Sequence, residues 1–264
     1  MVRFIHLTDS HVGPDAHFSL YGKQPLAYLQ RAVHVINDLP FDFDFVLHNG
    51  DLTDSGQAEA YELFNETIAK IRKPVYYAIG NHDNNDNMQR IVLRRDKPTP
   101  RLDYTFEHGG LKFVVLDTRG RDPGGHVEPG QIEWLKSHCT PDGPQMVVIM
   151  HHVPVPLDTP WLDAPPPGWG GTFMFIDNAA LVIETLKPAR GRIRGVFCGH
   201  VHGSFQVYHE GLFIVAGLSC FAPLVTWPSS DRVFNDEAQR PMFNLVTITD
   251  QATIVRPRCL TLPD

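Results

Sequence analysis

Five apolar runs of this chain each end on residue types that can ligate a metal ion. Arg3–Thr8 runs into Asp9-Ser10-His11. Phe43–Leu47 is followed by Gly50-Asp51-Leu52-Thr53-Asp54, and Pro74–Ile79 by Gly80-Asn81-His82-Asp83. Met146–Met150 runs into His151-His152, and Ile193–Cys198 into Gly199-His200-Val201-His202. Short apolar runs bounded by turn residues read as buried strands. In open α/β sheets, ligands collect at the carboxyl edge of the strands. The chain is thereby constrained to a fold that gathers these strand ends on one edge.

The segments between the runs support a mixed α/β architecture. Pro25–Leu39 places Leu26, Leu29, Val33 and Ile36 at helical spacing, and Ala58–Ile71 does the same with Tyr61, Phe64, Ile68 and Ile71. Pro129–His138 and Ala179–Leu186 read as shorter helices. Tyr104–Glu107 and Leu111–Leu116 flank a Gly109-Gly110 turn, a hairpin signal. Phe205–Tyr208 and Leu212–Ala216 read as further strands, and Met242–Ile248 with Ala252–Val255 as a closing hairpin. This order predicts two mixed sheets with helices outside. Val153–Ile176 and Ser219–Pro241 lack periodicity. Loops that long in a compact domain serve as lids, binding loops or interfaces.

Charge and cysteine usage narrow the function classes. The 264 residues carry a net charge of −7 at pH 7, which disfavours generic nucleic-acid binding. Arg90, Arg94, Arg95 and Lys97 read as a solvated helix face. No apolar stretch approaches the ~18 residues of a membrane span, and the amino terminus turns polar too early for a signal peptide. Cys139, Cys198, Cys220 and Cys259 are scattered, which points to free thiols in a reducing cytoplasm. Cys198 reads as a buried strand residue, and His152 as a residue that supports the ligands from behind or as structural. Phosphate-binding glycine loops of the Walker and dinucleotide types are absent, as are serine-hydrolase and zincin motifs.

The residue types at the strand ends suit borderline transition metals. Imidazole accepts Zn, Fe, Co and Mn, while carboxylate and amide oxygens accept harder ions. In extended chain, residues i and i+2 face one side, so Asp9 with His11, or His200 with His202, can reach one ion. The seven candidates exceed the roughly four ligands of one tetrahedral site. They suit two ions that share one carboxylate.

The series Asp9-x-His11, Gly50-Asp51-x-x-Asp54, Gly80-Asn81-His82-Asp83, His151-His152 and Gly199-His200-x-His202 resembles the calcineurin-like metallophosphoesterase superfamily. The likeness spans residues 9 to 202. Within the superfamily, the Gly-Asn-His-Asp form and the His151-to-Pro156 pattern resemble bacterial class III cyclic-nucleotide phosphodiesterases and glycerophosphodiesterases. The resemblance implies a four-layer sandwich, with two mixed β-sheets flanked by helices. It implies one ion on Asp9, His11, Asp51 and His202, and a second on Asp51, Asn81, His151 and His200, with Asp51 bridging. The ions would be two divalent or trivalent metals drawn from Fe, Mn, Zn and Co.

The implied activity is hydrolysis of small phosphodiesters, cyclic nucleotides or glycerophosphodiesters, by hydroxide held between the ions. His82 and Asp54 are the implied catalytic pair. His82 would stand beside the substrate, and Asp54 would orient His82 or a neighbouring ligand. A broad phosphomonoesterase or a nuclease of the same superfamily is the alternative enzyme, and a non-catalytic metal-binding interaction module is the alternative from another class. Residues 1–218 read as the catalytic domain, and 219–264 as a C-terminal segment of it that caps the site or contacts a second copy in a homodimer. Trp161 and Trp169 are expected to pack on the body or to stack on substrate. His17, Phe18 and Tyr21 are candidates for the opposite rim.

Overall fold

The computed structural model describes residues 1–163 and 174–260. Its elements are β1 (Val2–Leu7), α1 (Pro25–Asn37), β2 (Phe45–Asn49), α2 (Ala58–Ile68), β3 (Val75–Ala78), a short α3 (Asn85–Asn87), β4 (Tyr104–His108), β5 (Leu111–Leu116), α4 (Pro129–His138), β6 (Met146–Met150), a short α5 (Pro160–Asp163), α6 (Ala179–Leu186), β7 (Ile193–Cys198), β8 (Phe205–His209), β9 (Leu212–Ala216), β10 (Met242–Ile248) and β11 (Thr253–Cys259). One sheet has the order β11-β10-β1-β2-β3, and the other β4-β5-β6-β7-β9-β8. Strands β1, β2 and β3 are mutually parallel, as are β5, β6, β7 and β9, with antiparallel partners at the margins. Both sheets are therefore mixed.

The two sheets face each other through an aromatic layer. Phe4, Phe45, Phe113 and Phe197 are fully buried there with Leu47, Val115, Val147 and Val215. Phe4 stacks on Phe45 at 5.2 Å and meets the edges of Phe113 and Phe197. Burying each such ring stabilises the fold by about 1.5–3 kcal/mol. On the outer face of the first sheet, Leu29, Val33 and Ile36 of α1 pack with Tyr61 and Phe64 of α2. On the outer face of the second, Ile132 and Leu135 of α4 pack with Val182 and Leu186 of α6. Helix, sheet, sheet and helix make four layers.

The elements match the sequence pattern apart from some boundaries and one segment. Strand β2 begins at Phe45 rather than Phe43, because its register pairs Phe4 with Phe45 and Leu7 with His48. Asp44, just before it, accepts a hydrogen bond from the Arg3 amide at 2.7 Å. The basic cluster is not one solvated helix face. Met88–Val92 forms a π-helical turn, and Arg94, Arg95 and Lys97 lie in the loop after it. Buried Gln89 ties that loop down: its Oε1 accepts from the Arg95 guanidinium and the Thr99 amide, both at 2.9 Å. Residues of the loop, with Arg101 and Trp134, line an open groove of about 650 Å³.

The carboxy-terminal part threads back into the first sheet, where β10 borders β1. Trp161 is 3% exposed and donates its indole N–H to the Val225 carbonyl, so it packs on the body; Trp169 lies outside the described residues. Cys139, Cys198 and Cys220 are buried and Cys259 is exposed, all unpaired. No helix among the described residues is long and apolar enough to cross a membrane.

Candidate metal centre

The carboxyl ends of β1, β2, β3, β6 and β7 carry the five ligand blocks to one place. The turns that do this are strained. Among the described residues, eight that are not glycine have positive φ, and five of them are Asp9 (54°), His11 (44°), Asp51 (51°), His200 (73°) and His202 (50°). Such conformations cost of order 1–3 kcal/mol each and persist only where the surroundings enforce them. Here the loops brace one another. The Asp9 and His11 amides donate to the Gly50 and Asp51 carbonyls, both at 3.1 Å. The His200 amide donates to the Asp9 carboxylate at 3.0 Å. A Cβ on Gly80 would collide with Asp51, so the β2 and β3 turns can meet only because that residue is glycine.

The side chains converge in overlapping groups. One ligand atom from each of Asp9, His11 and His202 lies within 4.8 Å of the others, and the same holds for Asp51, His151 and His200. The Asp51 Oδ2 oxygen lies between the groups, 3.5 Å from His11 Nε2 and 3.1 Å from His151 Nε2. That is where a shared carboxylate must stand. Asn81, in the turn after β3, has its Oδ1 buried and without a hydrogen-bond partner.

The ring protons identify which nitrogens are free. A carbonyl oxygen only accepts, so His151 donates Nδ1–H to the Asn49 carbonyl at 2.8 Å, and His202 donates Nδ1–H to the Ala222 carbonyl at 2.8 Å. Their Nε2 atoms are left to face inward, that of His151 at 3.1 Å from Asp51 Oδ2. The His202 and His11 Nε2 atoms face each other at 3.0 Å. The Nε2 atoms of His151 and His200 are buried without a hydrogen-bond partner. Facing lone pairs and orphaned buried nitrogens are costly unless a cation lies between them. The donor set therefore fits two metal ions, and the second nitrogen of each carbonyl-bound ring is held as ligating histidines usually are.

The electrostatics separate the two central carboxylates. Burial raises the pKa of Asp9, assisted by the neighbouring Asp51 charge. Burial also opposes ionisation of Asp51, but His151, His82 and His11 outweigh it and hold its carboxyl well below the usual range. Burial would keep His151 neutral, yet the Asp51 and Asp9 carboxylates push its pKa up to about 9. His202, by contrast, is driven down to about 3 by burial, assisted by the nearby His11.

Two further candidates stand at the rim. His82 is the more open of the two, with its side chain 40% exposed, and its ring centroid is 4.6 Å from that of His11. It donates Nδ1–H to the Asp54 backbone carbonyl at 2.7 Å, and its amide donates to Asp51 Oδ1 at 3.0 Å. Burial disfavours the charged ring, but Asp51 and Asp54 raise its pKa overall. The Asp54 carboxylate lies 3.4 Å from His11 Nδ1 and 3.9 Å from His82 Nδ1. Asp54 thus meets His82 mainly through its carbonyl, and His11 through its carboxylate. Tyr21 is exposed and its pKa is raised by burial and by the Asp54 charge, which places it near this rim; Phe18 instead packs against Gly13.

Two residues outside the expected set hold the frame. Asp83 is buried and accepts from the amides of Leu52, Thr53 and Gly80 and from the Tyr61 hydroxyl, at 2.9–3.3 Å. It locks the β2 turn to the β3 turn. Its place after His82 in Gly80-Asn81-His82-Asp83 was the only sequence signal for it. His152, read as structural, bonds Thr118 Oγ1 and the Pro123 carbonyl and ties down the loop after β5.

Comparison with known proteins agrees with this geometry. The calcineurin-like phosphoesterase family profile matches residues 2–204. A 3′,5′-cyclic adenosine monophosphate phosphodiesterase of Vibrio vulnificus, CpdA, is 25% identical over 218 residues, covering 81% of this chain and 75% of the relative. A probable glycerophosphodiester phosphodiesterase of Arcobacter nitrofigilis, GpdQ, is 30% identical over 205 residues, covering 71% of this chain and 69% of the relative. Among solved structures, a dimetal phosphatase from Danio rerio superposes with a TM-score of 0.65 at 13% identity, covering 98% of this chain and 96% of that one, which is a likeness of fold. With the profile spanning the whole set of strand-end blocks, the chain belongs to the calcineurin-like phosphoesterase family.

Proposed function

We propose that this chain is a two-metal phosphodiesterase acting on small phosphodiesters, with cyclic nucleotides and glycerophosphodiesters as the substrate class. The observation that carries the reading is the inward-facing set of ring nitrogens around the Asp51 carboxylate, with an exposed His82 beside it. Asp9, His11, Asp51 and His202 would hold one ion, and Asp51, Asn81, His151 and His200 the other. When bound, two such ions lower the pKa of water enough to give a nucleophile at neutral pH, and they offset charge on the phosphoryl oxygens. Fe, Mn, Zn and Co all suit these donors.

The chain's own groups then divide the work. Asp51 and Asp9 bring two negative charges, fewer than the positive charge of two divalent ions, so the local field favours an anionic substrate despite the net charge of −7. The Asp54 carbonyl fixes His82 Nδ1–H, which leaves Nε2 as the free nitrogen of a side chain that is 40% exposed. His82, protonated there, gives its proton to the departing alkoxide oxygen. Asp54 keeps His11 oriented through Nδ1.

The names of the two bacterial relatives support diesters over monoesters. The acidic chain supports a small substrate over a long polyanion. The test compares bis(p-nitrophenyl) phosphate with p-nitrophenyl phosphate on Mn²⁺-loaded protein, alongside 3′,5′- and 2′,3′-cyclic AMP and a glycerophosphodiester. Diester preference is expected. Monoester preference would move the chain to the phosphatases, and no turnover with metal bound would favour a binding module.

A further inference from the structure

The amide of Asn81 has two ends, and only one can ligate a cation. Its Nδ2 donates to Asp122 Oδ1 at 2.8 Å, while its Oδ1 is buried without a partner. A carboxylate accepts and cannot donate, so Asp122 dictates which end of the amide turns away from the cleft. The NH₂ group goes to Asp122, and the oxygen is left free on the other side. Without that acceptor, rotation by 180° would present N–H groups to a cation, a repulsive arrangement.

Asp122 itself belongs to a loop that carries none of the seven expected ligands, between β5 and α4. The loop is held from beneath. His152 contributes Nε2–H to the Pro123 carbonyl at 3.0 Å, which leaves Nδ1 to accept from the Thr118 hydroxyl at 2.9 Å. The Thr118 hydroxyl oxygen in turn accepts from the His152 amide at 3.2 Å. A Cβ on Gly125 would lie 2.7 Å from His152 Cγ, so ring and loop are in direct contact. On the far side, the Gly125 amide donates to the Phe175 carbonyl and the Asp177 amide to the Gly125 carbonyl, each at 2.9 Å. The loop that presents Asp122 is thus fixed from both flanks.

We propose that Asp122 is a positioning residue for the second ion: it sets the orientation of the Asn81 amide, with His152 locking the loop that carries it. This rests on Asn81 being a ligand, as proposed above. Asp122 reaches the metal only through Asn81, so its contribution must vanish when Asn81 is absent. Its side chain is exposed, and its truncation leaves the buried core untouched.

The experiment is a Co²⁺ titration of metal-stripped protein, followed by the visible absorption of the bound ion and by ion counts after dialysis. Wild type is expected to hold two ions. In Asp122→Ala one of the two ions, the one assigned to Asn81, is expected to dissociate about 10–100-fold more readily, the effect typical of removing a partner that orients a ligand, with the other ion unchanged. Asp122→Asn keeps an oxygen acceptor and is expected to stay close to wild type. Asn81→Ala should lose that same ion, and adding Asp122→Ala to it should change nothing further. Wild-type retention of both ions in Asp122→Ala would overturn the proposal. So would an Asp122→Ala loss that persists in the Asn81→Ala background, or an Asp122→Asn variant as defective as the alanine. Two tightly held ions in Asn81→Ala would instead overturn the ligand assignment, a separate failure.

Discussion

The floor and the rim of the cleft are built by different means. On the floor, Asp9, Asp51, His11, His151, His200 and His202 are each at most 5% exposed. Most of them sit on strained turns, and carbonyl oxygens fix the protons of His151 and His202. At the rim, the Asp54 side chain is 22% exposed and that of His82 40%. Neither Asp54 nor His82 has positive φ, and the His82 ring is held by one hydrogen bond, to the Asp54 carbonyl. The floor spends conformational strain to fix positions that a metal would need. The rim leaves a ring accessible, as a group that meets substrate requires.

The contrast is broken most severely by Asp51→Ala. Loss of the shared carboxylate is expected to empty both metal positions and take turnover to background, and elemental analysis of the purified variant checks it. Full metal content would remove Asp51 from the bridge. His82→Ala should do the reverse: metal content stays, while kcat on a diester falls about 10²–10⁴-fold, the usual scale for a general acid. If turnover survives with both ions in place, the rim has no acid at that position.

Asp83→Ala tests the frame under the floor. It strands buried amide donors from two turns and the Tyr61 hydroxyl of α2, each worth about 1–3 kcal/mol when left unsatisfied. A loss of about 3 kcal/mol in urea unfolding is expected. A loss below about 1 kcal/mol would show that the β2 and β3 turns hold themselves.

The mildest lever is pH. In the metal-free protein the pKa of His151 is raised to about 9, so at neutral pH the ring carries a proton that an arriving ion must displace. Raising the pH toward 9 removes that competitor, so metal affinity should climb by up to about tenfold per unit and level off above it. Calorimetry from pH 6.5 to 8, in buffers of different ionisation enthalpy, would detect the released proton. Affinity that does not change over this range would place the proton elsewhere.

The sequence exposed the floor far better than its supports. Each ligand block follows an apolar run directly, so strand register and side-chain alternation carry it to one edge, and the pattern survives without any knowledge of the partner strands. Asp83 stands beside His82 in the sequence yet shows no role there, because its donors Leu52 and Thr53 come from another strand end, 30–31 residues away. Asp122 lies in Arg119-Gly-Arg-Asp-Pro-Gly-Gly125, which looks like any polar loop. The basic residues from Arg90 to Lys97 suggested a helix face, because spacing alone does not register that buried Gln89 captures the loop. The β2 boundary moved by two residues since parallel pairing with β1, not local hydrophobicity, decides where the strand starts.

The pairing of β1 with β10 also has a temporal meaning. Val2 lies opposite Ile248, the Ser219 hydroxyl donates to the Asp9 carbonyl across 210 residues, and the His200 amide meets the Asp9 carboxylate across 191. During synthesis the turn after β1 must wait for segments made 191 to 210 residues later before its strained shape is braced. Contacts this distant in sequence close slowly, after local helices and hairpins have formed. The geometry that could hold a metal is therefore completed late in folding. A molecule stalled before β10 would present Asp9 and His11 on an unfinished sheet edge, an apolar template open to wrong partners.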